Sequence, residues 1–176
     1  FNKGMCIAKG KFIGFINSDD VYKKNALKII SNYIKQNKQI DFIFGSVKKH
    51  WGVLHGYRPH KIKYSWGFYS SHSTGFFIKK KAAEKVGLYN IKYKYHADYD
   101  YFYRLIVKKK LRGIATKKSE LIGVFRRGGY SSKISFWKKL KEDIKIRYDN
   151  GQNIFLLIII FFNKFLRNID QILKKI

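Results

Sequence analysis

Residues 11–20 read Lys-Phe-Ile-Gly-Phe-Ile-Asn-Ser-Asp-Asp, and the fold turns on how that stretch is read. Phe12 to Ile16 is a short apolar run with no charge and no helical period. Such a run predicts a strand covered on both faces, as in the middle of a mostly parallel sheet flanked by helices. It ends abruptly in Asn17-Ser18-Asp19-Asp20. In open α/β sheets, ligands gather at the carboxyl ends of the strands. Asp19 and Asp20 offer hard oxygen ligands there, suited to Mg²⁺ or Mn²⁺ and through the cation to a diphosphate. The same residues serve equally as a cap for the helix that follows, since Asx-rich strand ends are common.

Upstream, Asn2 to Lys9 reads as the end of a helix stopped by Gly10. Downstream, Ala26, Leu27, Ile30, Tyr33 and Ile34 fall at helical spacing, and the helix should end near Gln36-Asn37. Ile40 to Val47 reads as a second strand. From Lys48 to Ser71 the pattern weakens into loops or short hairpins, with Trp51, His55, Tyr57, Arg58, Pro59, His60 and Trp66 interleaved with Gly and Lys. Aromatic and basic residues so mixed can stack bases, line a sugar site or pack a loop. Ser71 to Gly75 is a polar turn entering a strand at Phe76, and Lys80 to Val86 is a short helix closed by Gly87.

A second acidic group follows at Ala97-Asp98-Tyr99-Asp100, ahead of Tyr101, Phe102, Leu105 and Ile106 at helical spacing. Asp98 therefore sits in a first helical turn, where a carboxylate also serves as a cap. Leu121 to Phe125 reads as a further strand, running into Arg126-Arg127-Gly128-Gly129-Tyr130-Ser131. The glycine pair lets backbone approach a ligand and the arginines suit phosphate, although a tight turn explains them equally. A helix from about Ser135 to Asp149 carries Trp137, Leu140, Ile144 and Tyr148 on one face. Ile154 to Phe162 is then apolar without a break. Nine helical residues cover only about 14 Å, too short to span a bilayer, so the segment either packs on the core or lies in a membrane interface.

Length and composition frame these motifs. The 176 residues fit about one domain with a real core, being 45% hydrophobic and 18% aromatic. The single Cys6 excludes an internal disulfide, and neither Cys-x-x-Cys nor His-Glu-x-x-His is present. Nothing resembles a signal peptide, which points to the cytoplasm. The net charge of +27, from 38 Lys and Arg against 11 Asp and Glu, predicts affinity for polyanions. AT-rich codon usage would account for part of it, since Ile, Asn and Tyr are abundant too.

Three pieces stand in a fixed order: Asn17-Ser18-Asp19-Asp20, Ala97-Asp98-Tyr99-Asp100, and Gly128-Gly129-Tyr130-Ser131. Together they resemble the catalytic half of a family 2 glycosyltransferase with the GT-A fold, over residues 1 to about 132. Asn2-Lys3-Gly4, Ala8-Lys9-Gly10 and Gly87-Leu88-Tyr89-Asn90 resemble that family as well. The resemblance implies an α/β, Rossmann-like sheet flanked by helices in a partial catalytic domain, 1–132. A C-terminal helical segment, 133–176, follows and touches the membrane if it is interfacial. The first strands, which carry the family's nucleoside-binding residues, are expected to lie ahead of Phe1.

The implied reaction is inverting sugar transfer from a nucleotide-sugar donor to a saccharide or lipid-linked acceptor at the inner face of the cytoplasmic membrane. By the same resemblance Asp20 binds Mn²⁺ or Mg²⁺, Asp19 lies beside it toward the donor, and Asp98 is the catalytic base. Gly128 and Gly129 close near the diphosphate, Asp100 and Arg104 support the base, and His72 to Gly75 flank the acceptor. Ala97 departs from the family's Glu-Asp pair. The rival readings are a nucleic-acid-binding module built on Lys48 to Lys63, and an inactive remnant of the transferase that folds without turnover; under the resemblance, nucleic acid is not an expected partner.

Overall fold

The computed structural model describes residues 1–64, 73–125 and 134–169. Eight strands form two four-stranded sheets among the described residues. The first sheet has the order β1-β6-β3-β7, with β1 Phe12–Gly14, β3 Phe42–Phe44, β6 Phe76–Lys79 and β7 Gly113–Ala115. The second has the order β2-β8-β4-β5, with β2 Val21–Tyr22, β4 Ser46–Lys49, β5 Gly52–Leu54 and β8 Leu121–Val124. The helices are α1 Asn2–Ile7, α2 Ala26–Gln36, α3 Lys80–Val86, α4 Ala97–Tyr103, α5 Phe136–Asp149 and α6 Ile154–Arg167.

The α/β class follows from side-chain alternation in β3 and β6. Phe42, Phe44, Phe76 and Ile78 point into one cluster with Met5, Ala82, Ala83, Val86, Tyr101, Phe102 and Leu105, so α1, α3 and α4 cover that face. Ile43 and Phe77 point the other way, against Ala26, Ile30 and Ile40, so α2 covers the opposite face. Two covered faces leave no strand position for a polar residue, which is why these strands are apolar throughout.

The sheets are mixed. β3 pairs with β7 and β4 with β8 in parallel, whereas β1–β6, β3–β6, β2–β8 and β4–β5 are antiparallel. The doubly covered strands are β3 and β6; β1 lies at a sheet edge, with Ile13 buried and Gly14 exposed. An apolar run marks cover on both faces, not strand direction, and a reversed central strand has the same signature.

The apolar stretch from Ile40 to Val47 is two strands rather than one. Gly45 separates β3 from β4 and sends the chain from the first sheet into the second, donating its N–H to Gly75 O at 2.7 Å. A Cβ at Gly45 would overlap Ile122, so a side chain is excluded there. Thr116 stabilises the crossing, its hydroxyl accepting from Ser46 N at 2.9 Å.

The inner face of α5 also differs from expectation. Trp137 and Tyr148 are 50% and 63% exposed, while Leu140, Asp143, Ile146 and Arg147 are buried. Asp143 and Arg147 pair one turn apart at 3.0 Å, and Lys164 from α6 reaches the same carboxylate at 2.9 Å. Apolar spacing could not mark this face, because its centre is a compensated cluster of charges.

Candidate active site

The turn after β1 carries the first acidic pair. Asp20 donates its N–H to Asn17 O at 3.1 Å, which closes a tight turn at the strand end. The Asp20 side chain is buried, and its Oδ2 accepts from Asn17 Nδ2 at 2.9 Å and from the Thr74 hydroxyl. Asn17 Nδ2 also donates to Ser73 Oγ at 3.0 Å. Ser73 and Thr74 belong to a 3₁₀ turn, Ser73–Gly75, that leads into β6. Two separate segments thus orient one carboxylate, and Asp19 stands half-buried next to it.

Asp98 lies in the first turn of α4, as its helical spacing predicts. Among the described residues its carboxylate accepts the N–H of Tyr99 at 2.8 Å. The turn ahead of α4 is clamped from α5: Glu142 accepts from the N–H groups of Lys94 at 2.9 Å, Tyr95 at 2.7 Å and His96 at 2.8 Å. Asp100 is structural. It accepts from Arg104 Nε at 2.9 Å and Asn150 Nδ2 at 3.0 Å, and Arg104 donates onward to the carbonyls of Val86 and Leu88.

Lys49 lies at the end of β4. Burial pushes its ammonium below the ordinary lysine range, while the carboxylates of Asp98 and Asp20 pull it back up. Its Nζ also lies 4.6 Å from the ring centre of Phe125. Lys49 carried no signal in the sequence, being one of 38 Lys and Arg residues. Gly128, Gly129 and His72 lie outside the described residues.

No group of three or more His, Cys, Asp and Glu suited to a metal occurs among the described residues. Mg²⁺ or Mn²⁺ bound with a nucleotide needs only one or two carboxylates, because phosphates and water fill the other positions. Asp20, with Oδ2 held by Asn17 and Thr74 and with Asp19 adjacent, fits that smaller demand.

The acidic pair lies in the turn that follows a strand of a helix-covered sheet, the place where ligands of open α/β sheets collect. The sequence profile of glycosyl transferase family 2 matches residues 1–93, more than half of the chain, and the chain belongs to that family. A curated protein of Methanocaldococcus jannaschii described as an uncharacterized glycosyltransferase is 29% identical over 114 residues. That alignment takes in 60% of this chain and 39% of the relative, so the chain spans about two fifths of the relative's length. The family match includes Asp19 and Asp20 and ends before Asp98.

Proposed function

We propose that the protein transfers a sugar from a nucleotide-diphosphate-sugar donor to an acceptor hydroxyl with inversion, in the synthesis of a bacterial surface polysaccharide or glycolipid. The observation that carries this reading is the buried Asp20 carboxylate, held by Asn17 and Thr74 within the family match, with Asp98 in the first turn of α4. One carboxylate is oriented by neutral donors, as a cation ligand must be. The other sits on a separate helix, where it can face an acceptor.

In this reading Asp98 is the general base. As the acceptor oxygen bonds to the anomeric carbon, its proton passes to the Asp98 carboxylate. The bond from the anomeric carbon to the diphosphate oxygen breaks on the opposite face, and the electron pair leaves with the nucleoside diphosphate. Asp20, with Asp19 beside it, would hold Mn²⁺ or Mg²⁺, which when bound neutralises charge developing on the diphosphate. Gly128 and Gly129 are assigned to the loop over the diphosphate.

The test is nucleoside diphosphate release with a panel of nucleotide sugars and Mn²⁺. Asp20→Ala and EDTA should each abolish release, and Asp98→Asn should remove turnover while donor binding persists. Unchanged release in Asp98→Asn would remove Asp98 from the base role. Salt-sensitive nucleic-acid binding that ignores Asp20→Ala, with no donor turnover, would favour the basic-module reading instead.

A further inference from the structure

The amphipathicity of α6 is inverted. Leu157, Ile160 and Lys164 form its inward stripe, where Leu157 and Ile160 are buried and Lys164 is drawn to Asp143 at 2.9 Å. At 3.6 residues per turn, Phe155, Ile158, Ile159, Phe162 and Leu166 fall on the outward side. All five are more than half exposed, with Phe155 at 72% and Leu166 at 62%. No charge interrupts that side of the helix. A continuous apolar face of this kind marks an interaction site rather than a solvated surface.

The adjoining face of α5 supplies what such a surface needs at its edge. Lys141, Lys145 and Tyr148 line a groove with Ile154, Ile158 and Phe162 of α6. Trp137, half exposed, stands against Phe165 with ring centres 5.9 Å apart. Trp and Tyr favour the water–membrane boundary, and lysines beside an apolar face favour anionic headgroups. Helix α6 has 14 residues, about 21 Å of length against the roughly 30 Å of a hydrocarbon core, and no helix among the described residues is long and apolar enough to cross a membrane.

From these contacts we infer that the α5–α6 pair is a peripheral docking surface for an anionic bilayer, with α6 lying in the plane of the interface. Charge selects this occupant over a second copy of the chain. Two copies would bring their lysine-edged grooves together with a net charge of +27 on each, whereas anionic lipid supplies the opposite sign. The docking surface also bears on the catalytic helix. Glu142 of α5 holds the turn ahead of Asp98, so a bilayer under α5–α6 lies close to the segment that would receive an acceptor. This consequence, a lipid-carried acceptor, rests on the transferase reading; docking itself does not.

The experiment is flotation of the full-length protein with vesicles of phosphatidylcholine containing 30% phosphatidylglycerol, compared with pure phosphatidylcholine, without donor or acceptor. Binding to the anionic vesicles alone is expected. Phe155→Ser with Phe162→Ser should weaken it about tenfold or more, and Lys141→Gln with Lys145→Gln by a similar factor. These side chains are exposed, so unchanged circular dichroism should confirm that the variants fold. A blue shift of tryptophan emission on binding, absent in Trp137→Phe, would place α5 at the lipid. Absence of vesicle binding would overturn the inference. So would a dimer in light scattering that Phe155→Ser with Phe162→Ser dissolves. Because no turnover is read, failure of the transferase reading would leave this result standing.

Discussion

The Thr74 hydroxyl donates to Oδ2 of Asp20, tying the turn ahead of β6 to the turn between β1 and β2. The bond joins residues 54 positions apart and is buried. It fixes the orientation of the Asp20 carboxylate. Thr74→Val keeps the shape and removes the donor. A hydrogen bond to a charged group contributes about 1.5–3 kcal/mol, so kcat/KM for the donor should fall about tenfold to a hundredfold. Thr74→Ser retains the hydroxyl and should restore most of the loss. Equal damage from both variants would mean that Thr74 only fills space.

Glu142 should act on Asp98 through the backbone. Both the Tyr95 and His96 N–H groups donate to Oε1, and the Lys94 N–H donates to Oε2. Glu142→Ala leaves all three unpaired and should loosen the first turn of α4. We expect turnover to fall about tenfold with little change in donor affinity, since each lost bond is worth about 1 kcal/mol or more. Glu142→Gln keeps one acceptor oxygen for Tyr95 and His96 and should be milder. Matched donor Kd values, measured by calorimetry, separate this positioning role from a general loss of folding.

How much of this was legible in the sequence depends on the kind of signal each residue carries. Asp19 and Asp20 were visible because an uncharged strand ends on them, and Asp98 because helical spacing begins beside it. Helices α2 and α3 were visible through periodicity and through Gly87, whose φ of 84° suits a residue without a side chain. Lys49 was not, because a lysine at a short strand end looks like any other in a chain this basic. The inner face of α5 was hidden for a related reason: Asp143 and Arg147 are stabilised in the interior by each other and by Lys164, and a hydrophobic pattern assigns charges outward. The apolar run of α6 left core packing and an exposed interfacial position both open; Leu157 and Ile160 pack inward while Phe155 and Phe162 face outward.

Gly45 is the backbone prediction. Gly45→Ala would drive a methyl into Ile122 where β3 becomes β4. Overpacking at a site this tight costs about 1–3 kcal/mol, read as a lower urea midpoint at unchanged slope. Gly45→Ala combined with Ile122→Ala should cost less than the sum of the two single variants, because removing Cγ1 of Ile122 clears the nearest overlap. Additive destabilisation in the double variant would place the strain elsewhere.

Acid should destabilise the α4–α5–α6 contact in two stages. Burial pushes the His96 imidazole below its ordinary value of about 6.5, although Asp143, Asp98 and Glu142 draw it upward and Lys164 opposes them. A base whose folded pKa lies below its unfolded one binds fewer protons when folded, so stability is complete above about pH 6.5 and falls as pH drops toward the folded value. The second stage belongs to Asp143. Its burial works against ionisation, but Lys164 and Arg147 more than offset that and hold the carboxyl below the ordinary range. Its contribution is therefore present above the unfolded carboxylate value of about 3.9 and is lost as pH falls through the lower folded value. Urea midpoints measured from pH 8 to pH 3 should show both declines. His96→Gln should flatten the first. Asp143→Asn should flatten the second and, by leaving Arg147 unpaired in the interior, lower stability at pH 8 by about 3–5 kcal/mol. A pH-independent midpoint in the native protein would mean that neither group changes its proton affinity on folding.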